Sequence, residues 1–422
     1  MTMKYILVIG DGMADDPVPE LGGRTPLQAA KKPVIDALAR RSLVGSVKNC
    51  PDGLPAGSDT AILSIFGCDP HKCYTGRAPL EAAAQGLRLA PGDAAFRCNM
   101  AAISDEDVPF EEKRILSHSG GGIEGDKSKE LIEWLFTVPE FRDAAREAGV
   151  TVKPTLSYRH IAVQTGGDIR GLRLSPPHDH LGERVGDNIP SGNENAKTLR
   201  GLMELSNKYL GGHPINRART AEGKLPCNCI WFWAEGTAAE LPSFTETYGK
   251  SGSVISAVPL CHGIAALTGL GRISVEGATG ELDTNYEGKA DAAIEALDSG
   301  LDFVAVHVEA PDECTHNHDL PGKIKSIENI DGLVVGRIVE KMRERGERFR
   351  MLILSDHKTL TATGAHGAAP VPFMIYDSGA EIDGPADYSE PSGEKGPYID
   401  AGTRLMGLLF EKEIISKQEV SL

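Results

Sequence analysis

Residues Met351–His366 read MLILSDHKTLTATGAH. The run Met351-Leu352-Ile353-Leu354 has the length and side chains of a strand buried on both faces, and Asp356-His357 stand where such a strand would end. In open α/β sheets ligands bind at the carboxyl ends of strands. Taken alone, the acid–imidazole pair also fits a surface loop with a hydrogen-bonded carboxylate, so other segments must decide between the two.

Two further apolar runs end the same way. Lys4–Ile9 (KYILVI) stops at Gly10-Asp11-Gly12, and Phe303–Val308 (FVAVHV) runs into Glu309-Ala310-Pro311-Asp312-Glu313-Cys314-Thr315-His316. If the sheet is parallel, all three ends open on one edge. Asp312 and His316 have i,i+4 spacing, which on a helical turn sets carboxylate and imidazole on one face. His366 adds another imidazole. Carboxylate and imidazole donors without thiolates suit Mn²⁺, Zn²⁺ or related borderline ions, and their number suggests two ions. Asp356 and His357 can share an ion only if the chain leaves the strand there, because successive strand side chains face opposite ways. Two cations about 3.5–4 Å apart can hold the attacking and leaving oxygens of a phosphoryl transfer.

Leu54–Phe66 (LPAGSDTAILSIF) supplies a nucleophile: Ser58 falls at or near a helix N-terminus, where free N–H groups and the dipole favour an anion or alkoxide. Coordination of its hydroxyl to an ion would favour the alkoxide. Ser at a helix start is also an ordinary cap. Arg77 opens a second short helical stretch, Ala78–Gln85, and is a candidate phosphate ligand or the partner of a surface ion pair.

The chain of 422 residues suggests at least two domains. Sixty acidic against 44 basic residues give a net charge of −16, which disfavours nucleic acid or an anionic membrane as partner. An anionic substrate then calls for bound cations. Eight cysteines without a CxxC pair or secretory signal read as reduced thiols, with Cys227 and Cys229 as packing residues, and the expected setting is cytoplasmic. Pro33–Arg41, Lys127–Phe136, Glu140–Glu147, Lys289–Leu297 and Ile324–Arg345 read as helices, and Pro176–Asn195 as a long loop. Texture changes place an inserted domain at 83–251 within a discontinuous core of 1–82 and 252–422.

The segments VIGDGMAD, LPAGSDTAILSIFG, GRAPLEAA, AFRCN, YRHIAV, PPHDHLG, VEGATGELDTNYEGKA, VHVEAPDECTH and LSDH, spread over nearly the whole chain, resemble the archaeal-type cofactor-independent phosphoglycerate mutases of the alkaline phosphatase superfamily. The resemblance implies an α/β, alkaline-phosphatase-like core with a largely parallel sheet flanked by helices, carrying a smaller inserted α/β domain that grips substrate. It implies that Asp11, Ser58, Asp356 and His357 hold one ion, most simply Mn²⁺ with Zn²⁺, Mg²⁺ or Co²⁺ as alternatives. Asp312, His316 and His366 would hold the other.

Ser58 would accept the phosphate of 3-phosphoglycerate as phosphoserine and return it to the 2-hydroxyl. Arg77, Arg159, His160 and Arg219 would grip carboxylate or phosphate, and closure of the inserted domain would exclude water. Lys358-Thr359-Leu360 follow the Asp-His pair where many relatives have Pro. The alternatives are a homoserine-kinase-like phosphotransferase using the same serine, a metal-dependent phosphatase or phosphodiesterase, and a non-catalytic metal-binding relative.

Overall fold

The three runs that end on acids lie side by side. In the computed structural model, which describes residues 3–411, Phe349–Leu354, Lys4–Gly10 and Phe303–Val308 are adjacent parallel strands, with Ile9 opposite Leu354 on one side and His307 on the other. They are buried almost throughout, as near-continuous Val/Ile/Leu runs in parallel sheets should be. Gly252–Ile255 and Gly271–Ile273 extend the sheet in parallel beyond Phe303–Val308. On the other side come Val371–Asp377, Leu43–Val47 and Tyr398–Ile399, completing eight strands of which only Val371–Asp377 runs against the rest. The carboxyl ends of the three central strands therefore open on one edge.

Helices connect these strands, including Pro259–Thr268 and Tyr286–Asp298. The helix expected over Ile324–Arg345 is instead α-helical at Leu320–Asn329, π-helical at Ile330–Gly336 and α-helical again at Arg337–Glu344. The widened turn coincides with a buried acid, as such turns often mark sites where a side chain is specially aimed. Asp331 accepts the N–H groups of Val34 (3.3 Å) and Ile35 (2.6 Å). It thereby caps from outside the helix Pro33–Ala39, which receives no cap from its own Lys32 side chain.

The described chain divides into one unit formed by residues up to Tyr74 and from Glu240 onward, and a second, Thr75–Ala239. These crossings lie earlier than 82/83 and 251/252 for a packing reason. The helix Arg77–Ala84 seats Ala78 and Ala82 against Ala95 and Ile161 of the second unit. In the first unit Phe244 stacks on Phe303 at 5.0 Å.

The second unit is a five-stranded antiparallel sheet, with Ala94–Ile103 paired to Ile115–Ser117, Arg159–Gln164 and Cys229–Thr237, and Val150–Lys153 on Arg159–Gln164. Helices Asp126–Leu135, Pro139–Glu147 and Glu194–Leu210 contribute to its core with Phe96, Trp231 and Phe232. The expected loop Pro176–Asn195 contains a 3₁₀ turn at Pro177–His180, a short helix at Val185–Asn188 and the start of Glu194–Leu210. All eight cysteines are free and buried, Cys227 and Cys229 among them. Among the described residues no helix is long and apolar enough to cross a membrane.

Candidate metal centre and nucleophile

The strand Phe349–Leu354 ends one residue before Ser355, and Asn49 Nδ2 holds the bend that follows by donating to the carbonyls of Ser355 (3.2 Å) and Asp356 (2.8 Å). This departure from the pleat lets consecutive side chains converge, with His357 Nε2 3.4 Å from Asp356 Oδ2. Asp11 follows the neighbouring strand and lies 3.4 Å from the same nitrogen. The helix Ala310–His316 starts just after Phe303–Val308, and its i,i+4 spacing brings His316 Nε2 within 3.1 Å of Asp312 Oδ2. An antiparallel hairpin, Lys358–Leu360 with Ala365–Gly367, folds His366 back to 3.5 Å from Asp312 Oδ1. Ser58 is the first residue of the helix Ser58–Ile65, with its Oγ 3.2 Å from both Asp11 Oδ2 and His357 Nε2. All seven residues expected at the two ions thus gather in the first unit.

The imidazoles share one proton arrangement. His316 Nδ1 faces the Gly364 carbonyl at 2.8 Å, His366 Nδ1 the Ala56 carbonyl at 3.3 Å and His357 Nδ1 the Lys358 carbonyl at 3.2 Å. A carbonyl only accepts, so each Nδ1 carries a hydrogen and each Nε2 faces inward, as a lone pair when the imidazole is neutral and as an N–H when it is protonated. The Nε2 atoms of His316 and His366 consequently face each other at 2.9 Å. Two lone pairs so placed need a shared proton or a cation between them.

The carboxylates make the same demand. Asp11, Asp312 and Asp356 are all buried. Burial, followed by the negative charges of Asp356, Asp312 and Glu309, holds the Asp11 carboxyl well above its ordinary range. Burial also pushes Asp312 upward, but hydrogen bonds and charge from His316, His366 and His357 outweigh it and leave Asp312 below its ordinary range. The Asp312 hydrogen bond raises His316 in turn. Asp356 Oδ1 accepts from Gly12 N (3.0 Å) and His357 N (2.8 Å), while its buried Oδ2 has no hydrogen-bond partner.

A buried orphan oxygen, three acids and three inward lone pairs fit divalent cations held by oxygen and nitrogen donors. Two ligand groupings emerge: Asp312, His316 and His366, and Asp11, Asp312 and His357, the donor atoms of each lying within 4.8 Å of one another. Asp312 belongs to both, so it stands between the two sets rather than wholly with the second.

A profile of the 2,3-bisphosphoglycerate-independent phosphoglycerate mutases matches residues 39–216. The chain is 46% identical to 2,3-bisphosphoglycerate-independent phosphoglycerate mutase of Methanosarcina acetivorans, over 97% of this chain and all of that protein. It is 44% identical to a probable mutase of the same kind from Geobacter sulfurreducens, again over 97% of this chain and 100% of the relative. The chain belongs to the 2,3-bisphosphoglycerate-independent phosphoglycerate mutase family. Among solved structures, the cofactor-independent phosphoglycerate mutase of Thermoplasma acidophilum superposes with a TM-score of 0.62 at 27% identity, covering 97% of this chain and 99% of that one.

In this member of the mutase family the four expected substrate ligands, all in the second unit, differ in what they are free to do. Arg159 lies over Tyr158 and Trp233, 5.3 and 5.6 Å from the ring centroids, and its buried Nε has no hydrogen-bond partner. Arg97, 4.6 Å from the Trp233 centroid, adds a second guanidinium there and is ion-paired with buried Glu81. Burial raises Glu81, but Arg97, Arg77 and Arg159 bring it down to about 2. Arg77 itself lies 3.2 Å from Glu81.

His160 is fully buried, its Nδ1 accepts from Thr155 N and its Nε2 meets Ser128 Oγ, so both ring nitrogens have partners within the second unit. Arg219 donates through its guanidinium to the carbonyls of Leu225, Gly120 and Gly121 and pins that glycine loop. Lys358, adjacent to the chemistry in sequence, directs its ammonium to Asp16 at 2.6 Å.

Sequence reasoning missed His307. Its Nε2 lies 3.0 Å from Asp11 Oδ2 and its Nδ1 3.1 Å from Ser256 Oγ. Were Asp11 ionised by a bound cation it could only accept, so Nε2 would donate to it and Ser256 Oγ would supply the hydrogen to Nδ1. The available signal was a single histidine inside an otherwise apolar buried strand.

Proposed function

We propose that this chain interconverts 3-phosphoglycerate and 2-phosphoglycerate without 2,3-bisphosphoglycerate, through a phosphoserine on Ser58. The observation that carries the reading is the placement of Ser58 Oγ at a helix N-terminus, 3.2 Å from both Asp11 and the lone pair of His357. Family membership supports the substrate. Asp11, Ser58, Asp356 and His357 would hold one divalent ion and Asp312, His316 and His366 the other, with Asp312 able to serve both; Mn²⁺ is the ion the family resemblance implies, and Zn²⁺, Mg²⁺ and Co²⁺ are the alternatives. Bound there, the ions supply positive charge that favours the serine alkoxide and neutralises the phosphoryl group.

Ser58 Oγ attacks phosphorus, the bond from phosphorus to the C3 oxygen breaks, and that oxygen leaves with a proton. The C2 hydroxyl of the retained glycerate then attacks the phosphoserine, releasing Ser58 as the hydroxyl, so the cycle consumes neither water nor a net proton. His357 and Asp11 keep Ser58 pointed inward, and the N–H groups at the start of its helix favour negative charge on the oxygen. Arg159 and Arg97, beside Trp233, offer planar cationic groups suited to a carboxylate or phosphate. A cytoplasmic setting matches a set of eight buried free thiols.

The test is an enolase-coupled assay with Mn²⁺ and no bisphosphoglycerate, run beside phosphate release and homoserine phosphorylation. Mutase turnover is expected, and Ser58→Ala should abolish it while Mn²⁺ still binds. Homoserine phosphorylation or phosphate release without mutase turnover would assign the same serine to kinase or phosphatase chemistry instead.

A further inference from the structure

Thr359 touches both ligand sets at once. Its Oγ1 lies 2.5 Å from Asp312 Oδ1 and 3.2 Å from His357 Nδ1. Its backbone stands opposite His366 in the hairpin register, its N–H donates to the Ala14 carbonyl, and its own carbonyl accepts from the buried Lys323 ammonium at 2.6 Å. The residue is fully buried. Space for the hydroxyl is made by Gly12, whose φ is +58° and where a Cβ would lie 2.2 Å from Thr359 Oγ1 and 2.7 Å from Asp312 Oδ1.

The proton count at this hydroxyl has one solution. Because the Lys358 carbonyl already requires hydrogen on His357 Nδ1, Thr359 Oγ1 accepts from that N–H, and its single hydrogen goes to Asp312. The result is a same-sense chain, N–H to O–H to carboxylate, in which polarising one bond strengthens the next. A cation on His357 Nε2 makes the Nδ1 hydrogen a better donor, which makes the Thr359 hydroxyl a better donor to Asp312. That bond keeps Asp312 aimed between the two groupings it belongs to. Linkage makes the effect reciprocal.

We propose that Thr359 is the positioning residue that couples the two ion sites, so that occupancy of either set strengthens binding at the other. This rests on the two-ion reading above. The closing experiment is titration of the metal-freed full-length chain with Mn²⁺, followed by calorimetry and by the electron paramagnetic resonance of free Mn²⁺. The wild type, Thr359→Val and Thr359→Ser are compared.

Wild type is expected to bind two ions with positive cooperativity. Thr359→Val, which keeps the shape but not the hydroxyl, should lose about 10–100-fold in affinity and bind the ions independently. Thr359→Ser should restore affinity and cooperativity. If wild type binds two ions and Thr359→Val binds them with unchanged affinity and cooperativity, the coupling is overturned while the two-ion reading stands. If wild type binds fewer than two, both fall.

Discussion

Lys323→Met should destabilise the first unit by about 3 kcal/mol. Lys323 is fully buried and its Nζ lies 2.8 Å from Asp15 Oδ2, which is 2% exposed, and 2.6 Å from the Thr359 carbonyl. Burial pulls the ammonium below the ordinary lysine range while Asp15 opposes that pull. Methionine preserves much of the length and packing, so what is lost is the charge facing Asp15 and the hydrogen bond to the Thr359 carbonyl. Stranding one member of a buried pair costs about 3–5 kcal/mol. The low end applies here because Asp15 keeps the Thr361 N–H at 3.1 Å, the Thr361 hydroxyl at 2.6 Å and the Asp16 N–H at 2.8 Å.

At about 2–4 °C per kcal/mol for a unit of this order of size, melting should fall by roughly 6–12 °C. Urea unfolding in EDTA, followed by circular dichroism, measures the loss without a metal contribution. Asp15→Asn placed on top of Lys323→Met removes the stranded charge and should recover more than about 1 kcal/mol. A loss under about 1 kcal/mol, or a double variant no more stable than Lys323→Met, would refute the view that this pair is an electrostatic unit clamping the hairpin.

His307→Phe should lower kcat/KM by about 10–100-fold, because Asp11 loses a buried donor at 3.0 Å; His307→Gln, which can present an amide N–H, should recover part of it in the same coupled assay. Because His316 is raised above 6.5 by its bond to Asp312, protons compete with the ion from above that value downward. Mn²⁺ affinity measured calorimetrically should therefore fall steadily between pH 8 and pH 6. Lys289, lowered by burial from 10.5 to about 8, binds its proton more weakly folded than unfolded. Its destabilising effect is full below about pH 8 and relieved as pH rises toward 10.5. Denaturation at pH 7.5 and 9.5 should show wild type gaining on Lys289→Met at the higher pH.

Much of the core was legible because its signals are local. A buried parallel strand shows itself as an uninterrupted apolar run, and the residue after it sits at the ligand-binding edge. Asp11, Asp312 and Asp356-His357 could be placed that way, and the helical spacing of Asp312 and His316 survives intact in Ala310–His316. The second unit was less legible. Its arginines and histidine stand in similar polar surroundings in the chain, yet His160 is sealed in the core and Arg219 ties down a loop while Arg159 stacks on aromatic rings. Nothing in the neighbouring residues separates these fates. The expected continuous helix over Ile324–Arg345 likewise missed a π-helical turn whose acid caps a helix almost 300 positions away.

By itself, then, the sequence determined the parallel core, the strand ends that carry acids, Ser58 at a helix start and the family, since each rests on residues close together in the chain. Only the tertiary structure decided which nitrogen of each imidazole faces inward, that Asp312 falls in both candidate groupings, and that His307 and Thr359 contact Asp11 and Asp312. Those properties depend on hydrogen bonds such as His307 to Asp11, which join residues 296 positions apart. A donor's direction and a proton's position are set by whichever atom lies opposite, and only folding brings that atom there.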